Sequence, residues 1–263
     1  MLKIATWNIN SVRLRLALIK KLVTKEAPDV LCLQETKTPD DLFPAQALKE
    51  MGFAHQHFHG MKSYNGVAIL SKKPLKDLQI KSWYGKQDCR HIFATLEDGP
   101  TIHCLYIPAG GDDPDPKINP KFAHKLAFLD EITSFWKSAQ APHHGQILVG
   151  DLNIAPLEND VWSHKQLLTV VSHTPIEVEK LKALAQANKW VDAVRHFVPE
   201  EEKLYSWWSY RAHDWQASNR GRRLDHIWIT PDLKPRLSTQ KILKEARGWP
   251  TPSDHVPVMV MLK

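Results

Sequence analysis

Residues 147–156 read Ile-Leu-Val-Gly-Asp-Leu-Asn-Ile-Ala-Pro, and this stretch decides the fold. The apolar run Ile147-Leu148-Val149, closed by a glycine, reads as a buried strand that ends at Gly150. Asp151 and Asn153 are two apart, so in an extended chain their side chains point the same way. A carboxylate that can accept a proton and a carboxamide that can orient water then face one spot at a sheet edge. Pro156 stops the segment. Taken alone, the stretch reads equally well as a strand end followed by an Asx turn, because Asp and Asn favour turns. The surrounding chain shifts the balance.

Further strands are expected over 2–8, 30–34, 66–71, 92–96, 101–107, 146–150, 224–229 and 256–262, most of them short and rich in Val, Ile, Leu, Thr or aromatics. Helices are expected over 11–24, with Ser11 as N-cap, over 119–137, with Asn119 capping and Pro120 at the first helical position, and over 176–188. Strands in tandem and strands separated by helices argue against a purely parallel doubly wound sheet. They favour an α/β sandwich of mixed sheets with helices outside. The Pro-rich segment 108–120 reads as a loop, and long ordered loops beside strand ends often bind ligands.

The chain has 263 residues, 43% hydrophobic and 24% charged, which is ordinary globular composition with ample core. No repeat, low-complexity tract or long linker divides it, so 1–263 reads as a single catalytic domain. No stretch approaches the ~18 apolar residues of a membrane span, and the N-terminus reads as a first strand, not a signal peptide. Cys32, Cys89 and Cys104 are widely spaced, with no C-x-x-C, and read as free thiols of a cytoplasmic protein. The formal net charge of +6 is a weak pointer to a polyanionic partner such as nucleic acid.

Several expected strands end on chemically able residues, Asn8, Glu35, Tyr106 and Asp151 with Asn153, while Asp225 lies inside an apolar run and Asp254-His255 immediately precede the last strand. Glu35, Asp254 and Asn8 are hard oxygen donors with no Cys or Cys/His cluster beside them, which suits Mg²⁺ or Mn²⁺ and not zinc. His255 can donate to a phosphate oxygen, with Asp225 to orient it. Tyr106 can donate to or protonate a leaving oxygen, and Asp151 can activate water. These parts suit metal-assisted phosphate-ester hydrolysis. Taken singly, Glu35 reads as a solvated glutamate, Tyr106 as half-buried core and Asp254-His255 as a turn cap. Asp225 resists such a reading, because a carboxylate inside an apolar strand needs a partner. His55, His57 and His59 alternate as ligands on one strand face would, but lack the further ligands that a zinc site requires.

In order along the chain, Ile4–Arg13, Leu33–Lys37, Tyr64–Ile69, Leu105–Pro108, Gly150–Pro156, Tyr205–Arg211, Asn219–Asp225 and Ser253–Val258 closely resemble the exonuclease III family of abasic-site DNA endonucleases, within the endonuclease/exonuclease/phosphatase superfamily. The resemblance implies a four-layered α/β sandwich with its site at one rim. It implies Glu35 as main metal ligand with Asn8 and Asp254 nearby, Asp151 activating water and Asn153 positioning it. His255, oriented by Asp225, would bind the scissile phosphate, with Tyr106 at that phosphate or the leaving group. Asp151 and Asn153 would also lie beside the metal.

The same resemblance implies DNA-facing positions at Arg13, Lys37, Arg211, Arg220 and Arg222, and a pocket for the base-less sugar around Trp207, Trp208 and Leu224. The two tryptophans read equally as core and as stacking faces. Ala109, Asn10 and Arg222 depart from common family residues, Arg222 standing where animal relatives have an aromatic pocket wall. The implied protein is a monomeric Mg²⁺-dependent repair nuclease, with Mn²⁺ as substitute. It would cut double-stranded DNA 5′ to abasic sites and trim or unblock 3′ ends. A lipid- or inositol-phosphate phosphatase and a non-catalytic DNA-binding module are the alternatives. The basic, Trp-rich segment 205–223 speaks against the first, and a full set of competent residues against the second.

Overall fold

The computed structural model describes residues 1–138, 144–212 and 214–263. The chain begins with β1 (Leu2–Asn8), α1 (Leu16–Glu26), β2 (Val30–Gln34), α2 (Ala45–Glu50), β3 (His55–His59) and β4 (Val67–Ser71). Next come β5 (Leu75–Trp83), β6 (Lys86–Leu96), β7 (Thr101–Tyr106), α3 (Pro120–Lys137) and β8 (Gln146–Asp151). Then follow α4 (His164–Leu167), α5 (Pro175–Ala187), β9 (Val191–Asp192), β10 (Trp207–Trp208), α6 (Trp215–Ser218) and β11 (Gly221–Arg222). Last are β12 (Asp225–Ile229), β13 (Leu237–Ile242) and β14 (Val258–Leu262).

One six-stranded sheet has the order β13-β14-β1-β2-β4-β3 and the other the order β5-β6-β7-β8-β12-β9. Each contains one parallel pair, β1–β2 or β7–β8, among antiparallel neighbours. Central strands are buried on both faces, so they read as mainly apolar runs, with polar residues such as Lys3, Thr6 and His226 as exceptions inside them and others at their ends. Ile4, Cys32 and Ile69 of the first sheet meet Ile102, Val149 and Ile227 of the second in the middle core. The opposite faces carry helices: Ala5, Trp7 and Leu33 pack on Leu18, Ile19 and Leu22 of α1, and Leu105, Leu148 and Trp228 pack on α3 and α5. The result is the expected four-layered α/β sandwich. No described helix is long and apolar enough to cross a membrane.

The first helix departs from expectation. It starts at Leu16, not at Ser11, and Arg15 takes the N-cap position. Ser11 N and Val12 N instead bond Glu35 O and Thr36 O, so 9–12 still runs beside the chain leaving β2. Ser11 adopts φ +87° and Leu14 is 61% exposed, neither compatible with a helix starting at 11 and packed through Leu14. The other two helices form nearly as expected. Asn119 accepts from Lys121 N and Phe122 N at the head of α3, and Thr174 with Glu177 forms a capping box on α5.

Gly150 is required where it stands. Its φ is +146°, and a Cβ there would lie 1.8 Å from the Leu105 carbonyl oxygen, on the residue paired with it across β7–β8. Gly150→Ala is expected to cost at least about 3 kcal/mol, through backbone strain and a clash that backbone atoms cannot relieve. Urea unfolding measures this, and an unchanged midpoint would contradict the close approach.

Candidate active site

Strand direction brings the polar ends together. The parallel strands β1, β2, β7 and β8 finish at one rim, delivering Asn8, Glu35, Tyr106 and Asp151. Their antiparallel neighbours start there, so β12 opens on Asp225 and the residues before β14 are Asp254 and His255. The register sets Asp151 beside Tyr106 on one side and Asp225 on the other. Asn10, Glu35, Lys37 and Asn153 lie at φ +46°, +50°, +51° and +53°. Such left-handed non-glycine backbone costs about 1–3 kcal/mol per residue and clusters at functional sites. Here it turns the chain just past three strand ends.

Asn8 links the two sheets. Its Nδ2 donates to Glu35 Oε1 and to Asp151 Oδ2, each at 2.9 Å. Glu35 Oε1 also accepts from the Tyr106 hydroxyl at 2.8 Å. Asp225 Oδ2 is bonded by His255 Nδ1 at 2.8 Å and by Ser206 Oγ at 2.6 Å, while His255 Nε2 lies 3.6 Å from Asp151 Oδ2. His255 is thus anchored on Asp225 and faces Asp151 across a gap longer than a normal hydrogen bond. Asn153 N donates to Asp151 Oδ1 and Asn153 Nδ2 to Ile107 O, both at 2.9 Å, which leaves the amide oxygen without a protein partner.

The electrostatics follow from this packing. Burial, reinforced by the charge of Asp225, raises the Asp151 carboxyl to about 7 despite the opposing pull of His255. Burial alone would lower His255, but Asp225 and Asp151 outweigh it and lift the imidazole to about 10. Burial also works against the charge of Glu35, yet Lys37 and the Asn8 hydrogen bond hold it below the ordinary range. Asp254 is half-buried, and His255, Trp207 Nε1 and Asn10 keep it low against the desolvation. Burial, with Glu35 and Asp151 nearby, pushes Tyr106 well up, so its hydroxyl stays a donor.

Two groups of residues here could hold a cation. Asp151, Asp225 and His255 present ligand atoms within 4.8 Å of one another and could hold a metal, although His255 and Asp225 already satisfy each other. The second group is all oxygen. Lys37 Nζ sits 2.7 Å from Glu35 Oε2 and 2.7 Å from Asn10 Oδ1, and Asn10 Nδ2 reaches Asp254 Oδ1 at 3.2 Å. An ammonium therefore occupies a cation's place between hard donors, and these residues fit an oxygen-seeking divalent ion.

Beside these groups opens a cleft of about 670 Å³, lined by Glu35, Asp151, Asn153, Asp254 and His255, and by Trp207, Trp208, Arg211, Arg220, Arg222 and Leu224. The two tryptophans divide. Trp208 is buried to 1% exposure in the core with Trp7, whereas Trp207 is half-buried and gives its Nε1 to Asp254 Oδ2 at 2.9 Å. The Arg222 guanidinium lies 5.2 Å from the Trp207 ring centre, and its Nη1 donates to Val171 O and Ser172 Oγ. Arg220 lies 4.6 Å over Trp162. Arg13 is exposed and outside the cleft lining, and Lys37 turns inward to Glu35 instead of outward. Sequence reasoning gave no role to Ser206, Trp162, Val171 or Ser172. Of these, Ser206 could have been inferred, because the buried Asp225 needed a second donor.

The sequence profile of the Endonuclease/Exonuclease/phosphatase family matches residues 5–255. An exodeoxyribonuclease III from Haemophilus influenzae is 28% identical over the whole of both chains. Two solved structures cover all of this chain and are themselves fully covered. The 3′ phosphatase NExo from Neisseria, bound to a product DNA hairpin, superposes with a TM-score of 0.92 at 31% identity. An AP endonuclease from Archaeoglobus fulgidus gives 0.93 at 30% identity. With a profile match running from β1 to His255 and the same sandwich in both solved relatives, the chain belongs to the Endonuclease/Exonuclease/phosphatase family, in its exodeoxyribonuclease III and AP-endonuclease branch of nucleases.

Proposed function

We propose that the chain is a Mg²⁺-dependent DNA repair nuclease, with Mn²⁺ as substitute, that cuts duplex DNA 5′ to abasic sites and removes nucleotides or blocking groups from 3′ ends. The observation that carries this reading is the Asp151–His255–Asp225 array beside the oxygen-only group of Glu35, Asn10 and Asp254, on a cleft walled by arginine and tryptophan. Asp151, raised towards neutrality, takes a proton from water as its oxygen bonds to phosphorus. Asn153 orients that water through its free amide oxygen. Cationic His255, aligned by Asp225 and Ser206, donates to a non-bridging phosphate oxygen as charge builds there. The P–O3′ bond breaks, and the departing oxygen takes its proton from solvent water and leaves as a 3′-hydroxyl, with the Tyr106 O–H donating a hydrogen bond to the leaving oxygen.

Glu35, Asp254 and Asn8, joined by Asn10, would hold the metal, with Asp151 and Asn153 beside it. When bound, the ion supplies positive charge to the phosphate and the leaving oxygen. Arg211, Arg220 and Arg222 track the backbone. Trp207 and Leu224 form the sugar pocket. Its cationic Arg222 wall suits a terminal 3′ phosphate as well as a base-less sugar. The chain acts as a monomer, one catalytic unit over 1–263, in the bacterial cytoplasm, where its three buried free cysteines stay reduced.

The test compares a duplex with one abasic site, a duplex with a 3′ phosphate, an undamaged blunt duplex and a soluble inositol phosphate, each with Mg²⁺ or with EDTA. Both lesions should be processed faster than the undamaged duplex, with nothing processed in EDTA. Faster turnover of the inositol phosphate would move the assignment to the phosphatase side of the family.

A further inference from the structure

Helices α3 and α5 pack together behind the cleft, and between them lies a fully enclosed ion pair. Lys125 and Glu177 both have 0% exposed side chains, with Nζ 2.5 Å from Oε1. Lysine and glutamate are rarely buried so completely, and apolar side chains of similar size often join helices as well or better. The pair's other bonds explain its place. Lys125 Nζ donates to the carbonyl of Asn153 at 2.8 Å and of Ala109 at 3.3 Å. Glu177 accepts from Ser172 N at 3.0 and 2.9 Å, and from Thr174 N and Oγ1 at 3.2 and 2.7 Å. Ser172 Oγ in turn accepts from Arg222 Nη1 at 2.8 Å. Loops following β7, β8 and α4 therefore meet on one buried pair, and Ala109, Asn153, Ser172 and Arg222 all line the cleft.

We propose that Lys125 and Glu177 are positioning residues for the hydrolysis. Without touching substrate they fix the Asn153 backbone and, through Ser172, the Arg222 wall. The left-handed Asn153 gives such a tether a task, because a strained residue keeps its geometry only when its surroundings over-determine it. The ammonium on its carbonyl and the carboxylate of Asp151 on its N–H grip both sides of that residue. The inference rests on Asn153 acting in the reaction, and the experiment separates the two ideas.

Steady-state kinetics on the abasic duplex and thermal melting are measured for Asn153→Ala and for the double variant Lys125→Met/Glu177→Gln. The double variant removes both charges together, so no lone charge is left buried. Assays run well below each melting midpoint. The expected result is kcat lowered by about 10- to 10²-fold in the double variant, with KM within about threefold of wild type. If the double variant melts early, both enzymes are assayed at a lower temperature at which circular dichroism shows the variant fully folded, and the same kcat loss is expected there. Wild-type kcat in the double variant beside a slow Asn153→Ala would make the pair mere scaffold and overturn the proposal. So would a kcat loss no larger than the unfolded fraction. Full turnover by Asn153→Ala would overturn the role of Asn153 and this inference with it.

Discussion

Asp151→Asn is expected to lower kcat by at least about 10³-fold while duplex affinity stays near wild type, the size of effect that follows loss of a general base held by fixed partners. The amide keeps the shape of the carboxylate, and its one oxygen can still accept from Asn153 N, while its NH2 takes the place of Oδ2 and gives up the bond from Asn8 Nδ2. Its largest loss is the capacity to take a proton. The same group sets the pH dependence. A base must be ionised to work, and Asp151 is raised to about 7. Cleavage therefore falls as pH drops through that region, and the field of a bound cation would move the fall lower. His255, lifted to about 10, stays cationic across that limb. Single-turnover rates from about pH 5 to pH 9, with binding by anisotropy, check both parts. Near-normal cleavage by Asp151→Asn, or a flat acid limb, would remove it from the role of base.

Glu35→Ala should have an effect of similar size, by about 10²- to 10³-fold in kcat, for a different reason. Glu35 receives Asn8, Tyr106 and Lys37 at 2.9, 2.8 and 2.7 Å, so its loss frees three donors and empties the centre of the oxygen cluster. Glu35→Gln separates the causes. Its amide oxygen can still accept from Asn8 and Tyr106, yet the negative charge is gone. Both variants should bind Mn²⁺ more weakly, read by electron paramagnetic resonance without any turnover. Wild-type Mn²⁺ affinity in both would place the metal elsewhere, with Asp151, Asp225 and His255 the next group to test.

The central strands were legible in the sequence because burial on both faces favours apolar residues at most of their positions. The outer strands were not. β3 reads His-Gln-His-Phe-His, β5 mixes lysine, aspartate and glutamine with leucine, and β13 reads Leu-Ser-Thr-Gln-Lys-Ile. All three lie at sheet edges, where one side of the ladder is unpaired and polar residues are favoured. The alternating histidines, set aside as metal ligands, are the alternation of an edge strand, with His57 bonded to Gln79 O. The helix expected from Ser11 was misplaced because capping preference is local, whereas the hold of Glu35 O and Thr36 O on 11–12 is tertiary. Within the site, spacing paired Asp151 with Asn153, and the apolar neighbours of Asp225 demanded a partner, found in His255 and Ser206. Nothing local could reveal that Lys37 folds back on Glu35, or that one of two adjacent tryptophans would be almost wholly enclosed in the core while the other stays half-buried.

The hydrogen bonds that close the rim join distant parts of the chain. Trp7 Nε1 donates to His255 O, Ser253 Oγ to Asn8 O, and Asn8 Nδ2 to Asp151. Each half of the polypeptide therefore carries only part of this rim. During synthesis the sheet that carries Asn8 and Glu35 waits for β14, and Asp151 waits for His255. The same wiring makes cleavage a stringent readout of completed folding, because a partly assembled sandwich has the residues but not the rim.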